Sequence, residues 1–116
     1  MTRNPIGGTM THEEILARIR TSAAQRILFL PHATRQMMRP DRMISTSDVR
    51  MVIDNGEIIE NYPNDARGHS CLVLGFGDHR RFIHVVCAPN DEYLAIISTY
   101  LPIPEKWSTD FKKRIT

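Results

Sequence analysis

The sequence predicts an α+β domain, with N-terminal helices packed on a roughly four-stranded antiparallel sheet and a short helix at the C-terminus. Three observations predict it. Up to Asn55-Gly56, apolar residues recur at helical spacing behind capping residues. Beyond that point, four apolar runs of strand length are separated by Gly, Pro, Asn and Asp turns. The chain has 116 residues, enough for one domain and too few for two ordinary ones.

Residues 1–10 contain Gly, Pro and Asn without apolar periodicity and are expected to form a flexible arm, leaving 11–116 as the domain. Thr11-His12-Glu13-Glu14 has the form of a capping box: the Thr11 hydroxyl can accept from the backbone three residues on, and Glu14 can reach back. A helix from about His12 to Ala24 follows, with Ile15, Leu16 and Ile19 on one face. Arg26 to Leu30 is a short apolar stretch, either a brief strand or an extended connector, because Pro31 disfavours a helical Leu30. Proline suits a first helical turn, so a second helix runs from Pro31 or His32 to Met38 or Arg39, and Pro40 closes it. Ser45 to Asp48 offers several caps for a third helix over about Thr46 to Asn55, with Val49, Val52 and Ile53 inward.

The four candidate strands are Glu57–Tyr62, Ser70–Phe76, Arg81–Ala88 and Tyr93–Leu101. The last three are apolar on both sides, which implies a sheet at least partly covered on both faces. The helices can cover one face; a partner protein is one candidate for the other. Trp107, Phe111 and Ile115 recur every four residues and predict the C-terminal helix.

The formal charge of +2 and pI of about 8.7 are weaker than a binder of long duplex DNA usually carries, and leave room for a short RNA or a single phosphate. Cys71 and Cys87 sit inside apolar runs and read as reduced core thiols, with a cross-strand disulfide as the lesser alternative. No apolar stretch reaches the ~20 residues of a membrane span, and residues 1–10 lack the apolar centre of a signal peptide. The expected compartment is the cytoplasm.

Three groups of residues can carry chemistry. His32, Arg35, Gln36 and Arg39 stand at i, i+3, i+4 and i+7, one helical face that joins an imidazole to two guanidiniums. An imidazole moves protons near neutral pH, and guanidiniums hold phosphate through paired hydrogen bonds; the same spacing also suits a plain solvated face. His84 lies within Phe82-Ile83-His84-Val85-Val86 and is expected to be buried, either as a catalytic ring or as a core histidine with its hydrogen bonds satisfied. Ser98-Thr99-Tyr100 ends the last strand. If the last two strands pair, Thr99 or Tyr100 shares the face of His84, but not both unless a bulge intervenes. No histidine pair has HxxxH spacing, so neither a metal nor another cofactor is expected.

An ordered set of short strings adds to this reading: HATRQMM, Arg42, Ile44-Ser45, Asp48-Val49, Asn55-Gly56-Glu57-Ile58-Ile59, Tyr62-Pro63-Asn64-Asp65, Ser70 to Gly75, His84-Val85-Val86, and Ile97 to Tyr100 with Pro102 and Trp107. Over about Ile27 to Arg114 it resembles the bacterial domain-of-unknown-function family numbered 4258, which is similar to the RelE, colicin and EndoU group of toxins and ribonucleases. The resemblance implies a toxin-like endoribonuclease that needs no metal. The RNA 2′-OH would attack the adjacent phosphate, His32 and His84 would serve as base and acid in either order, and Arg35 would grip the phosphate. Thr99 or Tyr100 would bind the scissile group, and Arg39 and Arg42 would contact the RNA. RNA, an antitoxin protein and a second copy of the chain are the partners it implies. The rival readings are a non-catalytic nucleic-acid- or protein-binding module and a metal-dependent enzyme.

Overall fold

The two serine/threonine caps form as their residue types require. In the computed structural model, which describes residues 10–115, the Thr11 hydroxyl accepts from the Glu14 N–H and the Glu14 carboxylate accepts from the Thr11 N–H, at 3.1 and 2.8 Å. Ser45 and Asp48 repeat the arrangement at 2.9 and 3.0 Å. These boxes start α1 (His12–Gln25) and α3 (Thr46–Asn55). Between them, β1 (Ile27–Phe29) precedes α2 (Pro31–Met37), whose proline occupies the first turn. The expectation of an N-terminal arm lies outside the described residues except at Met10, which packs against the core.

The second half supplies β2 (Glu57–Tyr62), β3 (Ser70–Phe76), β4 (Phe82–Pro89) and β5 (Leu94–Tyr100). The fold is α+β, but the sheet has five strands, ordered β1-β5-β4-β3-β2. The additional strand is β1, which pairs parallel with β5 through Ile27↔Leu94 to Phe29↔Ile96; all other pairings are antiparallel. The sheet is therefore mixed.

Helix residues Ile15, Ile19, Ala33, Met37, Val49, Val52 and Ile53 pack on Cys71, Val73, Ile83, Val85, Cys87, Leu94 and Ile96 from one sheet face. α3 lies so close to β3 that a Cβ at Gly75 would stand 3.0 Å from the Val52 Cα. Cys71 and Cys87 are directly opposed on this face, both buried and both free thiols, and burial pushes the Cys71 thiol up to about 11.

The opposite face carries Leu72, Leu74, Phe82, His84 and Tyr100. It is covered at one end by the chain's own C-terminal segment: Trp107 meets His84 at 4.4 Å between ring centroids, and Phe111 meets Phe82 at 4.9 Å. That segment is not a helix, contrary to its four-residue periodicity. Asp110 accepts from the Ser108 hydroxyl and the Lys112 N–H, Ser108 accepts from the Lys113 N–H, and Phe111 adopts φ 60°. These local side-chain bonds compete with helical ones. The result is a looped strap tied by a Trp107↔Arg114 bridge.

Candidate functional site

The register of β4 against β5 places Tyr100 opposite His84 and Thr99 opposite Val85. Tyr100 therefore shares the His84 face. Thr99 is 0 % exposed; its hydroxyl donates to the His84 carbonyl at 3.0 Å and has no access to a ligand. A bulge opposite Val86 and Cys87 leaves Ile97 as the extra residue on β5. It lies between Tyr100 and the β1 pairing, so it does not alter the sharing of faces at His84.

His84 is itself 0 % exposed. Its Nε2 stands 2.9 Å from the Phe111 carbonyl and its Nδ1 3.3 Å from the Tyr100 hydroxyl. A carbonyl only accepts, so Nε2 carries a proton. Burial lowers the His84 pKa; the Phe111 carbonyl and the Glu60 charge oppose this only in part. The ring is therefore neutral, and its bare Nδ1 accepts from the Tyr100 O–H. Burial in turn raises the Tyr100 pKa. Of its two hydrogen-bond partners among the described residues, Tyr100 is the one whose residue lines a surface cleft.

Tyr100 forms part of the wall of a cleft of about 280 Å³ that is also lined by Gln36, Arg42, Lys106, Trp107 and Arg114. α2 contributes Gln36, whose side-chain oxygen accepts from the Thr99 N–H at 2.9 Å and the Ser98 hydroxyl at 3.0 Å. It thus satisfies the edge of β5 where β1 has ended. The loop after α2 contributes Arg42, and the C-terminal strap contributes Lys106, Trp107 and Arg114. Arg114 lies over the Trp107 ring at 4.7 Å and makes a two-pronged pair with Glu60 at 2.8 and 3.1 Å. Tyr62 also donates to Glu60. Burial alone would raise the Glu60 pKa, but the hydrogen bonds from Arg114 and Tyr62 and the Arg114 charge outweigh it and hold the carboxyl below its usual range.

Of the cleft cations, Arg114 is largely neutralised. Arg42 lies 3.8 Å from Asp41, and Lys106 makes no ion pair among the described residues. The free positive charge suits one phosphate. The Tyr100 hydroxyl and the Gln36 amide add neutral hydrogen-bonding groups, and the half-exposed outer plane of Arg114 offers a stacking surface.

The other expected groups do not join this cleft. His32 stands one turn before Gln36 on the same flank of α2, exposed and outside the lining residues; Arg35 is exposed as well. α2 ends at Met37, so the helical face expected to carry Arg39 is cut short, and Arg39 pairs with Asp41 at 3.2 Å. The structure thus brings together His84, Tyr100 and Arg42, but leaves His32, Arg35, Arg39 and Thr99 outside. Glu60, Lys106 and Arg114 join the site with no motif to announce them, whereas Trp107 stands among the strings that carry the family resemblance.

Among the described residues, no three His, Cys, Asp or Glu side chains group to hold a metal ion, and no helix is long and apolar enough to cross a membrane. No curated protein and no solved structure matches the chain. A family model matches residues 29–101, which run from the end of β1 through β5 and include Gln36, Arg42, His84 and Tyr100 but not the strap. By that match the chain belongs to the family described as Domain of unknown function (DUF4258).

Proposed function

We propose that the cleft binds single-stranded RNA and that the protein is a toxin-type endoribonuclease in which the Tyr100 hydroxyl, rather than a pair of facing imidazoles, handles the proton. The observation that carries this reading is the Tyr100–His84 pair: a hydroxyl on the wall of a cationic cleft, backed by a ring whose free nitrogen is oriented to take its proton. A phosphate seated between Arg42 and Lys106 would lie beside that hydroxyl.

In this scheme the 2′-OH proton passes to the Tyr100 oxygen as the Tyr100 proton passes to His84 Nδ1. The 2′ oxygen attacks phosphorus, and the bond to the 5′ oxygen breaks. The Lys106 ammonium supplies the leaving oxygen with a proton. His84 then returns its proton through Tyr100, and Lys106 is reprotonated by water. The products are a 2′,3′-cyclic phosphate and a 5′-OH, so RNA is cut and DNA is not.

The test is incubation with end-labelled RNA and the DNA of the same sequence, with product ends identified by mass. Cyclic-phosphate ends from wild type but not from Tyr100→Phe support the scheme. Equal cleavage by both proteins overturns it.

The sealing of His84 favours a second reading, a non-catalytic module that uses the same cleft. It predicts RNA binding without product. In either reading a cytoplasmic antitoxin protein or a second copy of the chain is a candidate partner, tested by size-exclusion mass measurement alone and after co-expression.

A further inference from the structure

Gln36 and Trp107 line the Tyr100 cleft from α2 and from the strap. Each brings a neutral N–H that no group in the fold occupies. The Thr99 backbone N–H can only donate, so the Gln36 atom that meets it at 2.9 Å is the side-chain oxygen, which also accepts from the Ser98 hydroxyl at 3.0 Å. Two bonds to one oxygen fix the amide plane and turn its NH2 group away from β5. That Nε2 has no hydrogen-bond partner among the described residues and is not sealed from solvent. Trp107 is 4 % exposed, held edge-on to His84 and beneath the Arg114 guanidinium. A buried indole N–H ordinarily finds an acceptor. That of Trp107 has none among the described residues, and its nitrogen belongs to the small part of the side chain that solvent reaches.

The other side-chain polar groups of the wall are Arg42, Lys106 and Arg114, all donors, and the Tyr100 oxygen, whose proton is committed to His84. The cleft therefore asks for a ligand that accepts hydrogen bonds on several oxygens. Resting on the RNA reading of the cleft, we infer that Gln36 Nε2 and Trp107 Nε1 form a donor pair for the two non-bridging oxygens of the scissile phosphate. Arg42 and Lys106 supply the charge that draws the phosphate in, and the donor pair sets which way it faces. The Gln36 amide is already held by β5 and the Trp107 ring by its neighbours, so neither must be ordered at the moment of reaction. Their bonds strengthen as negative charge builds on those oxygens during attack by the 2′ oxygen.

The probe is the dinucleotide UpU with fluorine in place of the attacking hydroxyl, so that it is not cut. Its two phosphorothioate isomers, in which sulfur replaces one or the other non-bridging oxygen, accept hydrogen bonds only weakly at that position. Trp107 is the chain's single tryptophan, so heteronuclear NMR shows one indole N–H signal. That signal should move downfield and saturate as UpU is added to wild type. In calorimetry each isomer should bind wild type about tenfold more weakly than UpU, the size of one hydrogen bond to a charged group. Gln36→Met should abolish the penalty for one isomer, and Trp107→Phe the penalty for the other. A purely structural role predicts that both penalties survive both substitutions. That result, or a stationary indole signal while UpU binds, overturns the donor pair and leaves the cleft reading intact. Failure of wild type to bind UpU overturns both. Circular dichroism checks the fold of each variant; if either misfolds, the indole signal of the wild type decides alone.

Discussion

The ring of His84, in the middle of the sheet, is held by the carbonyl of Phe111, in the C-terminal strap, across 2.9 Å. That one bond fixes the proton on Nε2 and leaves Nδ1 to face Tyr100. The strap therefore does more than cover an apolar face: it sets the protonation pattern of the one buried imidazole that communicates with the cleft. Tyr100→Phe removes the hydroxyl and keeps the ring. RNA cleavage should fall by about 10²–10⁴-fold, the usual contribution of a positioned proton-transfer group, with RNA affinity changed only a few-fold. Single-turnover kinetics beside anisotropy separate the two effects.

The same pair makes stability depend on pH. His84 has a folded-state pKa below its ordinary 6.5, chiefly because burial penalises the cation. The unfolded chain therefore binds the proton more readily, and stability rises with pH through this window. His84's contribution is complete above about 6.5 and is lost as pH falls toward the folded value. Urea midpoints should decline from neutral toward mildly acid pH, and His84→Gln, though less stable at neutral pH, should flatten that slope. An unchanged slope in the variant would remove His84 as the cause.

Much of this architecture was legible because local chemistry and final structure agree. The capping boxes at Thr11 and Ser45, the proline opening α2 and the turn residues between strands place three helices and four strands within a residue or two. β1 was ambiguous because three residues cannot display an alternation, and its parallel pairing with β5 is a long-range event. The strap was misread because a four-residue apolar spacing also arises when a loop drops Trp107 and Phe111 onto a sheet. Its Ser108 and Asp110 turn bonds, not its apolar periodicity, decide its backbone. The site was only partly visible. Sequence spacing narrowed the neighbour of His84 to Thr99 or Tyr100 without choosing between them, and could not reveal that α2 stops before Arg39 or that Glu60 and Arg114 meet across 54 residues.

Asp48 is 2 % exposed and ties three segments together. It accepts from the Ser45 N–H, from the Asp78 N–H at 2.7 Å and from Arg81 at 3.1 Å. Arg81 also donates to the carbonyls of Arg42 and Met43, so this pair anchors the loop that presents Arg42. Asp48→Ala leaves the Arg81 guanidinium without its counter-charge. Loss of one partner of a buried pair costs about 3–5 kcal/mol; the solvent reached by Arg81 places the expected loss in urea-monitored stability toward the lower end. Arg42-dependent RNA binding should weaken in the same variant.

The β3–β4 hairpin turns through His79 and Arg80, both with positive φ, at 60° and 58°. A hairpin turn of this kind favours Asn-Gly, because ordinary side chains strain the left-handed region by about 1–2 kcal/mol each. Both residues are exposed. The double change His79→Asn, Arg80→Gly should therefore stabilise the domain by about 1 kcal/mol after the added unfolded-state freedom of glycine is counted. Thermal unfolding reads this directly, and a lower midpoint would contradict it.

The cleft cations can be counted through salt. Each phosphate neutralised on a single strand contributes about 0.7 to the slope of log affinity against log salt. Lys106 is free of ion pairs among the described residues, whereas Arg114 already serves Glu60. Lys106→Ala should therefore weaken RNA binding and lower the slope by about one such increment. Arg114→Ala should alter the slope less, because the lost cation was largely balanced, yet it should destabilise the fold by uncovering Trp107 and leaving Glu60 with the Tyr62 hydroxyl but without its counter-charge. Anisotropy titrations at several salt concentrations, set beside urea unfolding of both variants, read the two effects separately. A larger slope change for Arg114→Ala than for Lys106→Ala would mean that the Glu60 pair opens to receive the phosphate, and that the cleft carries more usable charge than its resting geometry displays.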